Sequence, residues 1–291
     1  MTARGPLLMV LSTVAFTAMV VLVRIGRTEL AYTAIQLMLW RALSGVPLVA
    51  LLTGRKLRVQ RVDLLALRCL AGFCAMYSFF SAARHLGVGE LTVLVKLQPI
   101  VVALLAPLVL GRAERSDARG LGALGLGMAG TVALLWPDLQ ATAWTDHLTG
   151  AAWALSAAAC SAVAHTTLRA LGPTEDPRVV VFWFQIAVGL AALVGVGTGG
   201  GMPLPTAAGG WAVVLGIGAC AAAGQLLMTR AYQLDRAARV AAASYTAPLF
   251  GFLADAAWFG QAPGWHATIG AVLVVAGGGL VVLRPAQRAA E

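Results

Sequence analysis

A chain of 291 residues with 59% hydrophobic and 11% charged residues cannot cover a water-soluble surface, where about 25% charged is usual. With 33 glycines added, this composition excludes a soluble enzyme, a disordered chain and a disulfide scaffold, and it points to a polytopic membrane protein. The net charge of +9 does not imply nucleic-acid binding, because Lys and Arg stand in small clusters between apolar runs and form no basic face.

Crossing a hydrocarbon core of ~30 Å takes about 20 helical residues. Ten apolar segments fit, near 6–23, 31–53, 64–83, 91–111, 120–136, 148–168, 179–198, 210–229, 240–259 and 266–283. They are too long for barrel strands, so the predicted fold is an all-α integral membrane protein with ten transmembrane helices. The first segment follows Arg4 as a signal peptide would, but its apolar run is longer than such a region and nine more spans follow. Turn chemistry marks the connections at 26–29, 87–90 and 172–177, and Gly199–Gly201 with Met202–Pro205 cannot continue a helix. Cys69, Cys74, Cys160 and Cys220 lie inside apolar runs without metal-ligand spacing, so no metal or other cofactor is expected. The chain has no Asn and therefore no N-glycosylation acceptor.

Charge sets the orientation. With the N-terminus inside, Arg4, Arg55, Lys56, Arg58, Arg61, Arg68, Arg112, Arg115, Arg119, Arg169, Arg178, Arg230, Arg236, Arg239, Arg284 and Arg288 fall on the inner side. Arg24, Arg27 and Arg84 fall outside, which is a strong positive-inside bias and predicts two cytoplasmic termini. The second half also repeats the first. Gly5 with Arg24 recurs as Gly150 with Arg169, Pro99 with Gly111 recurs as Pro248 with Gly260, and Trp136–Pro137 is echoed by Arg284–Pro285. Five spans per half is odd, so residues 1–140 and 141–291 form repeats of opposite orientation. That is a transporter architecture with its site near the midplane.

Pro99 and Pro248 lie near mid-membrane in spans 4 and 9, where each frees a carbonyl, at Val95 and Ser244. Matched breaks point to a transport site, although a membrane proline can also merely kink its helix. Arg41 and Lys96 are the two cations within spans, and no carboxylate shares the depth of Arg41. Arg41 therefore meets carbonyls, water or an anionic ligand, while Lys96 has the option of snorkelling outward. Asp255 reads as an interfacial or structural partner. Polar stripes at helical spacing run through Cys74, Tyr77, Ser81 and His85 and through Trp153, Ser156, Cys160, Ser161 and His165; Gln225 with Thr229 and Ser244 with Tyr245 and Thr246 add to them. Superposed repeats pair Tyr77 with Gln225 and Arg41 with Gln185. Trp40, Tyr77, Trp183 and Tyr245 could form an aromatic wall or face lipid.

The sequence Gly125-Leu-Gly-Met-Ala-Gly130 matches a dinucleotide fingerprint literally, but it lies inside span 5 with no strand before it. Close helix packing, Ala123 with Gly127 and Gly125 with Ala129, accounts for it. No ATP-binding loop or hydrolase motif is present, which disfavours a membrane enzyme.

Ten spans in two inverted fives, Arg41 in span 2, and the runs LysLeuGlnProIle (96–100) and TyrThrAlaProLeu (245–249) resemble the EamA family of the drug/metabolite transporter superfamily, over essentially the whole chain. Within it the chain looks most like the YddG-type exporters of aromatic amino acids. The family's acidic residue after span 4 corresponds to Glu114, whereas Gln261 or Pro263 stands after span 9. The resemblance implies a secondary exporter of small metabolites in the bacterial inner membrane, with lipid and a small-molecule substrate as its partners and neither nucleic acid nor an obligate protein partner. The expected substrate site comprises Trp40, Arg41, Tyr77, Ser81, Lys96, Gln98, His165, Trp183, Gln185, Gln225, Ser244 and Tyr245, with Pro99 and Pro248 as hinges. Arg41 or Lys96 would hold a carboxylate; Gln98, Gln185, Gln225 or freed carbonyls would hold an ammonium; Tyr77, Trp183 or Tyr245 would stack on a ring. Efflux of cationic drugs or nucleosides is the alternative.

Overall fold

The computed structural model describes residues 4–54, 57–82, 94–134, 136, 147–198, 201–259 and 264–282. They fold into α1 (Arg4–Thr28), α2 (Ala34–Thr53), α3 (Val62–Ala82), α4 (Gln98–Leu110), α5 (Ala118–Leu134), α6 (His147–Leu171), α7 (Pro177–Thr198), α8 (Ala208–Leu234), α9 (Ala237–Ala243), α10 (Thr246–Phe259) and α11 (Trp265–Val282). The described residues contain no strand. Six helices, α1, α2, α3, α6, α7 and α8, are long and apolar enough to cross a membrane, and α4 is a shorter apolar helix. Large apolar side chains stand outward, with Leu51, Leu108 and Leu148 almost fully exposed, as lipid-facing positions require.

The helix ends follow local chemistry. Thr33 and Gln36 form a reciprocal capping box that starts α2, and the Gln36 amide also reaches the Gly201 carbonyl at 2.9 Å. Gly201 has φ +90, so the backbone after α7 turns where other residues would be strained. Spans 4 and 9 are each interrupted. Lys96 and Leu97 form a turn before α4, and Ser244 and Tyr245 form the matching turn between α9 and α10. The interruptions lie two to four residues ahead of Pro99 and Pro248, which occupy the first turns of the helices that follow. That position tolerates proline, because its missing N–H would have no intrahelical partner there.

Packing is closest between α1 and α8, α3 and α6, α5 and α11, and α2 and α7. Small residues let these backbones approach, as expected where lipid removes the hydrophobic drive between helices. Ser12 Oγ donates to the Gly224 carbonyl at 2.8 Å between α1 and α8. A Cβ at Gly130 would lie 2.8 Å from the Val274 backbone nitrogen, and one at Gly127 would lie 2.5 Å from Cδ2 of Tyr245. The fingerprint-like run in α5 is thus partly a packing surface. Gly125, by contrast, faces open space, so the expected contact of Gly125 with a neighbouring helix is absent. His85, Pro137, Gly260, Gln261, Pro263, Arg284 and Pro285 and the 140/141 boundary lie outside the described residues, as does the Asp255 side chain.

Candidate functional site

A cavity of about 290 Å³ lies between α1, α3, α6, α7 and α8. Phe16, Ala75, Met76, Phe79, Val95, Ala157 and Phe184 give it mostly apolar walls, while Arg68, Ser161, His165 and Gln225 supply its polar groups. Few polar groups converging in an apolar pocket is the usual build of a small-molecule site.

Arg68 organises one side. It is 3% exposed, its Nη2 donates to Gln225 Oε1 at 3.3 Å, and its guanidinium carbon lies 4.0 Å from the ring centre of Phe184. Gly72, one turn further along α3, makes this stack possible, because a Cβ there would collide with Arg68 Nη1 and lie 2.7 Å from Phe184 Cε2. The ring face supplies cation–π attraction in a setting where a guanidinium otherwise costs at least ~2.5–3.5 kcal/mol. His165 organises the other side. Its Nδ1 lies 2.9 Å from Gln98 Nε2 and 3.2 Å from Tyr232 Oη, and the Tyr232 ring stacks on the imidazole at 4.9 Å. Gln98 and Tyr232 thus converge on the same imidazole nitrogen.

The sequence-derived set is therefore divided. Gln98, His165 and Gln225 come together around the cavity, joined by Arg68 and Tyr232, which the sequence reading did not single out. Arg68 reads there as an inner-side topology charge; the structure buries it within α3. Lys96 does not snorkel, for its Nζ donates to the Ser244 carbonyl at 3.2 Å and so links the two interrupted segments. That carbonyl is one of the two expected to be freed by the prolines. Arg41 is 6% exposed and directs Nη1 at the Met76 sulfur, 3.9 Å away, so it stands behind a wall residue of the cavity.

The remaining residues sit elsewhere. Tyr77 is 58% exposed on the face of α3 opposite Met76, Phe79 and Gly72, stacked with Phe73 and edge-on to Trp153. Ser81, one turn further, follows Tyr77 and does not line the cavity. Trp183 is also partly exposed and donates Nε1 to the Leu57 carbonyl at 3.2 Å. Trp40 packs edge-on against Trp211 among Val213, Val214 and Ile217. Gln185 is fully buried against Gly45, and Tyr245 is enclosed with Ala123, Leu124, Ala238 and Ala242. No aromatic wall of Trp40, Tyr77, Trp183 and Tyr245 exists.

Ionic and hydrogen-bond contacts tie the helices together at the end of the bundle that carries the α6–α7 connection. One turn below His165, Arg169 Nε pairs with Glu114 Oε1 at 2.8 Å and its Nη1 donates to the Gln233 carbonyl at 2.9 Å. Glu114 Oε2 accepts the backbone N–H of Ala237 at 2.8 Å, so this acid caps the start of α9. Glu175 Oε1 accepts the backbone N–H groups of Gln60 and Arg61 at 2.8 and 2.6 Å, holding the start of α3 to the same end. A second pocket of about 40 Å³, bordered by Arg115, Arg119, Arg236 and Arg239, lies at this end and is too small for a metabolite. Among the described residues no cluster of three or more His, Cys, Asp or Glu is placed to hold a metal.

Comparison with known proteins adds three findings. The family model for the EamA-like transporter family matches twice, over residues 3–136 and 148–283. Two curated relatives, both the pseudopaline exporter CntI of Pseudomonas aeruginosa, are 26% identical (strain UCBPP-PA14) and 27% identical (strain PAO1) over 284 residues, covering 96% of this chain and 93% of theirs. One solved crystal structure superposes with a TM-score of 0.84 over 97% of this chain and 98% of its own, at 17% identity, and shares the fold.

Proposed function

This chain belongs to the EamA-like transporter family, a membrane-spanning transporter and not an enzyme, and from that premise we propose that it exports small carboxylate-bearing metabolites by alternating access through the Arg68–Gln225–His165 cavity. The observation that carries this reading is the cavity itself, which is lined by the Arg68 guanidinium and the His165 imidazole and has interrupted helices beside it. The reading takes ten spans as two inverted units, 1–140 and 141–291, with both termini on the cytoplasmic side of a bacterial inner membrane. Two matches of one family model support the duplication. The packing supports the symmetry: advancing each span by five exchanges the α1–α8 pair with the α6–α3 pair. On this orientation the Glu114–Arg169 end is cytoplasmic and closed, while the cavity faces outward.

Resemblance to pseudopaline exporters supports export of a small metabolite. An aromatic preference loses its support, because Tyr77 and Trp183 stand away from the cavity. Efflux of organic cations is disfavoured by the cation within the cavity and by lining residues that include no Asp or Glu. The test is efflux from proteoliposomes loaded with a mixed pool of amino acids and carboxylated amines, followed by mass spectrometry. Saturable release of carboxylate-bearing compounds, slowed at least about tenfold by Arg68→Gln, is expected from the loss of a charge-assisted contact. Release of organic cations alone, or release indifferent to Arg68→Gln, contradicts it.

A further inference from the structure

The smaller pocket, of about 40 Å³, lies where the 3₁₀ turn Arg112–Glu114, the starts of α5 and α9 and the last turn of α11 meet. Four arginines border it, Arg115 and Arg119 from the first half of the chain and Arg236 and Arg239 from the second. The carboxylates around it already have partners. Glu114 holds Arg169 and the Ala237 N–H, Asp235 pairs with Arg239 at 3.1 Å, and Asp117 Oδ1 accepts the Gly120 N–H at 3.0 Å. Arg115, Arg119 and Arg236, by contrast, make no side-chain hydrogen bond or ion pair among the described residues. Like charges brought around one pocket from separate elements repel when no anion lies among them. Ala238, Ala242 and Leu280 complete the wall, and Leu280 is 44% exposed on the outward side of α11.

We propose that this pocket seats the phosphate of an anionic phospholipid of the inner leaflet, which bridges the two halves of the chain beside Glu114. The pocket admits the oxygens of one phosphate but no whole metabolite, so the rest of the ligand lies outside it. Leu280 gives that remainder an apolar side to run along, which suits a lipid and not a soluble anion. Planar guanidinium forks match phosphate oxygens, and basic pockets between spans on the cytoplasmic side favour anionic headgroups. The inner-leaflet placement rests on the orientation of the exporter reading; the geometry and charge of the pocket do not. Glu114 borders the pocket while holding Arg169 and the start of α9, so a phosphate shared by Arg119 and Arg236 adds a further tie at the same end. The occupied pocket thereby favours the state in which that end is closed.

The test is thermal unfolding of the purified protein in detergent micelles carrying increasing phosphatidylglycerol. Phosphatidylcholine micelles and about 10 mM inorganic phosphate are the comparison arms. Phosphatidylglycerol is expected to raise the melting temperature, and phosphatidylcholine and free phosphate to leave it unchanged. Arg119→Gln and Arg236→Gln should each raise the phosphatidylglycerol fraction needed for half the effect about fivefold. Arg58→Gln, an equal loss of charge at an exposed position outside the pocket, should not. The Arg119 and Arg236 side chains hold no neighbour, so both variants are expected to fold. Equal stabilisation by phosphatidylcholine, full stabilisation by free phosphate, or equal weakening by Arg58→Gln overturns the proposal. In proteoliposomes, with the native cysteines replaced, phosphatidylglycerol should also shift maleimide labelling of Ala157→Cys toward the outer side. Labelling indifferent to the lipid refutes the tie to the closed end. Melting reads binding without transport, so failure there leaves the exporter reading standing, and absence of efflux leaves the lipid site standing.

Discussion

Arg68 stands six residues past the start of α3, a position where a basic side chain usually serves only to orient a span. Its different role here depends on Phe184 and Gln225, contributed by α7 and α8, and so is set by tertiary packing that local sequence does not carry. Tyr77 shows the converse. Polar spacing along α3 selects the face of Tyr77 and Ser81, yet the cavity is lined by the face of Gly72, Ala75, Met76 and Phe79, which carries no polar signal beyond Arg68. A tyrosine or serine can lie on a membrane helix away from any aqueous space, which makes polarity an unreliable guide to the inner face. Tyr77→Ala and Trp183→Phe are accordingly expected to leave efflux within about twofold of the parent, since each is remote from bound ligand; a tenfold loss from either would return it to the site. Gly127 offers a stability test at the same scale. Gly127→Val places new atoms against the enclosed Tyr245 ring and should destabilise by about 1–3 kcal/mol in thermal unfolding, and an unchanged melting point would contradict that packing.

Elements were more legible than residues. Long apolar runs and glycine- or proline-rich connections mark α1, α2, α3, α6, α7 and α8, because length and hydrophobicity are properties of the segment itself. The matched prolines also point to the right two spans. They do not locate the interruption, which falls at Lys96–Leu97 and Ser244–Tyr245, because proline is compatible with the first turn of the helix that follows it. Lys96 Nζ on the Ser244 carbonyl then joins the two turns across the bundle, a contact between residues far apart in sequence. If the turns move as a coupled pair, Pro99→Ala with Pro248→Ala should let the helices run through. Efflux should then fall at least about tenfold while the melting temperature holds or rises, since restored helix hydrogen bonds favour one rigid state. Efflux at the parental rate in the double variant would remove the interruptions from the mechanism.

At the scale of the whole molecule, the closed end depends on Glu114, which neutralises Arg169 and caps α9 at once. Its counterpart after span 9 is absent by sequence, so in an inverted pair of repeats the opposite end has no acid equivalent to Glu114. That asymmetry suits a carrier whose two closed states differ in stability. Removing the Glu114 charge leaves Arg169 without its ion pair. For a pair only partly shielded from solvent the loss is on the order of 1–3 kcal/mol, enough to shift a two-state population severalfold or more. The most direct test of the account measures which side of the membrane reaches the cavity. In a variant with its four native cysteines replaced, Ala157→Cys should react with an impermeant maleimide from the outer side, and adding Glu114→Gln should shift reaction toward the cytoplasmic side. A cysteine that reacts equally from either side with or without Glu114→Gln, or from neither, would contradict an alternating cavity sealed by that ion pair.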